Sequence, residues 1–196
     1  MIIGLTGGLA TGKTTIATLL KQQGYVIVDA DEVTHELYET SQHMTQIIQS
    51  ICPSAVQGNT IIRHILAECV TRQPELLSIL ESQTHPFIIN RIKSKIKNVL
   101  NQNETIILVA PLLFETGLHA LCDVTICLYA DIQTQHERAM KRSNMTTDKF
   151  TRLIKRQWGN DKRMIYADYV VSTDTSPEET YQAVLSYLQH IQQERH

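Results

Sequence analysis

The chain has 196 residues, 42% hydrophobic and 19% charged, with a formal net charge of −2 at pH 7. This length suits one compact α/β core with a small appended lobe and excludes two full domains. No apolar run reaches the roughly 18 residues that a bilayer span needs, which predicts a protein without a membrane partner.

The first apolar run, Met1 to Leu5, predicts a short buried strand. A glycine-rich stretch follows, then a helix from about Lys13 to Gln23, closed by Gly24. Tyr25 to Val28 predicts a second strand, ending in Asp29-Ala30-Asp31-Glu32. A helix should start at Asp31 or Glu32 and run towards Tyr38. From Ser41 to Gln102 the pattern predicts successive helices without a strand, broken at Pro53, Gly58, Pro74 and Pro86. Thr105–Val109 and Val124–Tyr129 predict two further buried strands. Helices near 131–143, 146–158 and 160–166 precede a short strand, Tyr169–Ser172, and Pro177 opens a last helix to about Gln193. Five short apolar strands separated by helices imply a parallel sheet covered on both faces. Two blocks interrupt the rhythm, a helical region around 58–98 and a basic region around 138–163. The N-terminus runs directly into strand and loop, which predicts no signal peptide. The four cysteines, Cys52, Cys69, Cys122 and Cys127, lack any CxxC spacing, so free buried thiols are expected.

Gly7-Gly8-Leu9-Ala10-Thr11-Gly12-Lys13-Thr14 is a complete Walker A loop between strand and helix. Its backbone N–H groups should converge on one point at the positive end of a helix dipole, which suits a nucleotide's phosphates. The expected ATP cradle is Gly8, Leu9, Ala10, Thr11, Gly12, Lys13, Thr14 and Thr15. Lys13 would reach the β- and γ-phosphates, and the Thr14 hydroxyl would hold Mg²⁺.

Asp31 follows a strand end and should open onto the same rim. If the chain stays extended through Asp29-Ala30-Asp31, both carboxylates face one side. Asp31 then either accepts a proton from an attacking hydroxyl or merely caps the next helix. Between Arg138 and Arg163 lie nine of the eighteen basic residues, giving this segment +7 and the remainder −9. Its lysines are explained by a solvated helix face. Arg138, Arg142 and Arg163 are candidates for neutralising a transferring phosphoryl group, because a guanidinium forks onto two phosphate oxygens. Nucleic acid is a second possible partner for this charge, but only Phe150 and Trp158 supply aromatic residues near it. Val109-Ala110-Pro111-Leu112-Leu113-Phe114-Glu115 places proline and three large apolar residues at a strand's end, for packing or for an apolar substrate contact. The strand Ile106–Val109 does not end in the Asp that motor ATPases use, and no Asn-Lys-x-Asp motif occurs. A small-molecule kinase is the leading class, with a nucleoside monophosphate kinase or a nucleotide-dependent RNA binder as alternatives.

The combination of Leu5-Thr6-Gly7-Gly8, Asp29-Ala30-Asp31, Thr84-His85-Pro86, Pro111-Leu112-Leu113-Phe114-Glu115 and Gln157 through Ala167-Asp168 resembles the dephospho-coenzyme A kinase family. The likeness runs from Met1 to about Asp168. It implies a P-loop NTPase-type three-layer fold: a core over about 1–57, 99–137 and 164–196, a helical substrate-binding insert over about 58–98, and a helical lid over about 138–163. It implies γ-phosphoryl transfer from ATP, with Mg²⁺, to the ribose 3′-hydroxyl of dephospho-CoA. By position, Asp31 becomes the base, and Lys13 with Arg138 the catalytic cations. Thr6, Arg63, His85, Pro111, Leu112, Leu113 and Glu115 would face the acceptor. The family's Asn near the chain's last strand is replaced by Thr173, which leaves the adenine contacts there undetermined. A cytosolic location is expected, no nucleic-acid partner is expected, and oligomeric state is left open.

Overall fold

The structure, a computed structural model, describes residues 1–100, 104–143 and 145–194. In chain order, Ile2–Gly7 forms β1, Lys13–Gln22 α1, Val26–Asp29 β2, Ala30–Thr40 α2, Gln42–Ile51 α3, Val56–Gln57 β3 and Thr60–Ile61 β4. Arg63–Arg72 forms α4, Pro74–Leu100 α5, Ile106–Val109 β5, Val124–Tyr129 β6, Ile132–Met140 α6, Thr147–Lys155 α7, Asn160–Tyr166 α8, Tyr169–Ser172 β7 and Pro177–Gln193 α9. By internal contacts the chain forms two compact units, Met1–Val28 with Asn98–His196, and Asp29–Lys97.

The first unit is built on a five-stranded sheet in the order β2-β5-β1-β6-β7. β1 pairs in parallel with β5 and β6, so Leu5 lies opposite both Val109 and Ile126, and β6 pairs in parallel with β7. Strands buried on both faces must be apolar throughout, which explains the uninterrupted Ile2–Leu5 and Ile106–Val109 runs. One face packs Ile3, Leu5, Ile107, Val109, Ile126 and Leu128 against Ile16 and Leu20 of α1 and Val184 and Leu188 of α9. On Gly4 a side chain would meet Leu113 Cδ2 at 2.7 Å and Cys122 Sγ at 2.9 Å. Asp168 ties β6 to the start of β7, its Oδ2 accepting from the Thr125 N–H at 2.8 Å and hydroxyl at 2.7 Å. α9 opens as its sequence promised, with Pro177 in its first turn and Ser176 and Glu179 forming a reciprocal capping box.

The second unit packs Met44, Ile48, Ala55, Ile61, Leu66 and Leu80 into its own core. It departs from the sequence reading in three places. A hairpin, β3–β4, turns at Gly58 inside the stretch expected to lack strands. Its two-residue strands are too short to carry a period of two. α5 runs through Pro86, which was expected to break it. A mid-helix proline costs about 3 kcal/mol. The buried Leu80, Thr84, Ile92 and Ile96 offset that cost by anchoring one helix face on both sides of the proline.

The third departure is Cys52 and Cys69, which are joined as a disulfide with Cα atoms 6.6 Å apart, where free thiols were expected. α3 and α4 meet through a short 3-10 turn at Pro53–Ala55, which brings together cysteines 17 positions apart. Cys122 and Cys127 are free. Burial, aided by the charges of Asp123 and Asp168, pushes the Cys122 thiol up to about 12. Burial likewise pushes Cys127 up to about 11. The thiolate is the reactive form. Native protein at pH 8 should therefore resist alkylation, and unfolding without reductant should release two titratable thiols rather than four. A thiol count with Ellman's reagent, before and after reduction, checks both statements.

Candidate active site

β1 is the central strand, and the chain leaves its carboxyl end through the glycine-rich loop, where ligands bind in open parallel sheets. Gly7 has φ +151°, and a Cβ there would sit 2.3 Å from the backbone oxygen of Leu128 and 2.7 Å from Thr11 Oγ1. Only glycine lets the loop start this close to β6. Gly12, at φ +86°, precedes α1 in the left-handed conformation. No side chain caps α1 and no acidic residue occupies its first turn, as at α4 and α6, whereas α2, α3, α7 and α9 each have a side-chain cap. Only α1 of these is entered through a left-handed glycine at a strand's carboxyl end. The first N–H groups of α1 therefore remain for an anion at the positive end of the helix. Ala10, a non-glycine residue at φ +60°, adds local strain of the kind that collects at ligand sites.

Within the loop, Lys13 Nζ donates to the carbonyl oxygens of Gly7 at 2.8 Å and Gly8 at 2.7 Å. Thr11 Oγ1 donates to the same Gly8 oxygen at 2.9 Å. Thr14 and Thr15 lie exposed in the first turn of α1. Leu9 and Ala10 turn inward and pack with Ala139 and Met140 of α6 and Phe150 and Ile154 of α7. The loop thus rests on the basic segment through an apolar contact.

Behind the loop lies a buried polar group. Were Gly8 to carry a Cβ, it would lie 2.7 Å from Gln135 Oε1 and 3.3 Å from Arg163 Nη1. Arg163 is only 1% exposed, and its Nη2 is 3.5 Å from Glu115 Oε1. Glu115 Oε1 also accepts from the Trp158 N–H at 2.8 Å. Thr6 Oγ1, Glu115 Oε2, Gln135 Oε1 and Arg163 Nε and Nη2 are buried without a hydrogen-bond partner.

The three arginines proposed for phosphate sit in different settings. Arg138 is half-buried and donates from Nη1 to Thr173 Oγ1 at 3.0 Å and from Nη2 to the Thr173 carbonyl at 2.6 Å. Thr173, the position that departs from the family pattern, is thus the seat of this guanidinium. Arg142 is exposed beyond the end of α6, while Arg163 is enclosed beside Glu115. In the Pro111–Glu115 segment, Leu113 and Phe114 are buried while Pro111, Leu112 and Glu115 are half-buried. Packing alone accounts for Leu113, which lies against Gly4. Phe114 stacks on Trp158 with 5.9 Å between centroids. Lys162, expected to be merely solvated, places its ammonium 3.5 Å from the centre of the Trp158 ring.

The second unit carries the acidic candidates. The chain enters α2 at Ala30, one residue before the expected start, so the condition of an extended chain through Asp31 is not met. Asp29 supplies the cap: its Oδ1 accepts from the Asp31 N–H at 2.8 Å and the Glu32 N–H at 3.2 Å. Asp31 stands exposed in the first turn, and the capping alternative for it is removed. Asp29→Ala should cost about 1 kcal/mol of stability and Asp29→Asn much less, because Asn caps nearly as well. Urea denaturation of the two variants checks this. Arg63 is exposed at the start of α4, and its positive charge partly offsets the upward push of burial on Tyr38. His85 is half-buried in the interior of α5. Sequence reasoning missed Gln135 and the side chain of Gln157 as parts of the loop's surroundings. Neutral amides carry no charge pattern, and only the fold brings them to the loop.

Residues 1–179 match the family model described as dephospho-CoA kinase. The dephospho-CoA kinase of Rhizobium meliloti is 34% identical over 185 residues, covering 94% of each chain. That of Bartonella quintana is 32% identical over 191 residues, covering 97% of each. The crystal structure of a Thermus thermophilus protein superposes with a TM-score of 0.81 at 27% identity, over 97% of this chain and 96% of that one. The arrangement of strand, loop and uncapped helix, together with the match across nearly the whole sequence, places the chain in the dephospho-CoA kinase family.

Proposed function

We propose that the chain transfers the γ-phosphoryl group of ATP to the ribose 3′-hydroxyl of dephospho-CoA, releasing CoA and ADP. The family match over residues 1–179 carries this reading. The uncapped, glycine-led start of α1 is the feature of the molecule that suits it physically.

Phosphoryl transfer asks chiefly for positioning and charge neutralisation around a loose transition state. The backbone of Gly8 through Thr15 holds the phosphate chain of ATP. Lys13 exchanges its two loop carbonyls for phosphate oxygens, so its charge moves from the loop to the ligand. Thr14, exposed in the first turn, would offer a hard oxygen ligand to Mg²⁺, which would supply charge neutralisation at the phosphates. Asp31 takes the proton of the attacking 3′-hydroxyl as the new O–P bond forms and the bond to the β-phosphate oxygen breaks. Arg138 and Arg142 offset charge on the transferring group, and Arg163 does so from behind the loop. Thr6, Arg63, His85, Pro111, Leu112 and Glu115 bind and orient the acceptor. Among the described residues no helix is long and apolar enough to cross a membrane. The reaction is assigned to the cytoplasm, where ATP is supplied.

Product analysis tests the position of transfer. Incubation with Mg-ATP and dephospho-CoA should yield a product whose one new phosphomonoester couples to the ribose 3′ proton in phosphorus NMR. A phosphate at another hydroxyl, or none, would contradict the proposal.

A further inference from the structure

We propose that Gln157 is a positioning residue that locks the phosphate loop to the end of the basic segment, so that loop occupancy and the environment of Trp158 are coupled. This rests on the reading of the loop as the ATP site. The Leu9 N–H, in the middle of the loop, donates to Gln157 Oε1 at 3.0 Å across 148 positions of sequence. The loop's internal bonds run to the carbonyls of Gly7 and Gly8, from Lys13 and Thr11. Those bonds leave the backbone at Leu9 to be oriented by an external acceptor. Gln157 is well placed to be that acceptor because its own N–H closes α7 onto the Ile154 carbonyl at 3.1 Å, which fixes the side chain's origin.

The next residue makes the connection directional. The Trp158 N–H donates to Glu115 Oε1, and Glu115 pairs with Arg163, whose Nη1 lies against Gly8. Two neighbouring residues therefore reach the loop by two routes, one to Leu9 directly and one to Gly8 through Glu115 and Arg163. The apolar contact of Leu9 and Ala10 with Phe150 and Ile154 gives a third link, to α7 just ahead of Gln157. A loop that shifts to take phosphate must shift Gln157, and Trp158 moves with it. Trp158 is the chain's single tryptophan, so its fluorescence isolates this junction.

Gln157→Leu removes the acceptor at similar volume, and Gln157→Asn keeps polarity but loses reach. Gln157→Glu keeps an acceptor oxygen. The Leu and Asn variants should raise the KM for ATP by about tenfold, as for loss of roughly 1.4 kcal/mol of binding. Their KM for dephospho-CoA should stay within about twofold of the parent. Titration with Mg-ATP should change Trp158 emission in the parent and in Gln157→Glu, and much less in Gln157→Leu and Gln157→Asn. A purely structural residue would lower Tm and leave both the KM for ATP and the emission change intact, which overturns the proposal. Because either variant suffices, failure of one to fold does not protect the idea. A parent that phosphorylates dephospho-CoA alongside variants with unchanged constants sinks only this inference. A parent inactive on dephospho-CoA sinks the functional reading instead.

Discussion

Asp31→Asn is expected to lower kcat by about 10²–10⁴-fold, the range for losing a positioned general base, with the KM for ATP nearly unchanged. The substitution is informative because it conserves size and removes only the charge of the side chain. Asp29, not Asp31, accepts the N–H groups at the start of α2, so a change at Asp31 leaves the helix cap in place. Asp31→Asn also removes a negative charge from the first turn of α2, worth about 0.3–1 kcal/mol of stability against the helix dipole. That loss lowers Tm slightly and cannot produce a hundredfold loss of rate. Steady-state kinetics beside a thermal melt separate the two. Near-normal kcat would mean that the carboxylate does not take the proton. Asp29→Asn is the matching control, since the cap survives and catalysis should be little affected.

Lys13→Ala is the second large effect, with kcat/KM falling by about 10³-fold or more and the KM for ATP rising. Removing a single preorganised donor to a transition state costs about 10²–10³ in rate. Lys13 supplies a full charge as well as donors, so binding and rate should fall together. The ammonium also braces the loop, holding the Gly7 and Gly8 carbonyls from one point. Losing it leaves both oxygens without that donor and loosens the entry to α1. Isothermal titration with ATP, combined with kcat, would distinguish this from a change confined to the chemical step. Full ATP affinity in Lys13→Ala would contradict the role given to the ammonium.

The main frame of the fold was readable because its signals are local. Ile106–Val109, Val124–Tyr129 and Tyr169–Ser172 are apolar runs of strand length between breakers, and Pro177 after Ser176 marks a helix start. The phosphate loop was readable because its glycines, lysine and threonine act within eight consecutive positions. Features that depend on distant partners were not. The β3–β4 hairpin is too short for a periodic signal, and α5 passes Pro86 because buried residues on either side hold it. The Cys52–Cys69 pair requires knowing how α3 meets α4. At Asp29-Ala30-Asp31, spacing left base and cap as alternatives for Asp31, and the fold gives the cap to Asp29. The helix begins one residue after Asp29, which turns Asp29 inward to the N–H groups and leaves Asp31 exposed. Arg163 shows the same limit from another side. Its charge made it a candidate for neutralising phosphate, while its enclosure beside Glu115 depends on α8 packing behind Gly8.

The most direct test of the central claim is ADP release from Mg-ATP in three parallel reactions, with dephospho-CoA, with AMP, and with no acceptor. Rapid ADP release with dephospho-CoA, and near-background release in the other two, is the expected result. Turnover with AMP but not with dephospho-CoA would contradict it.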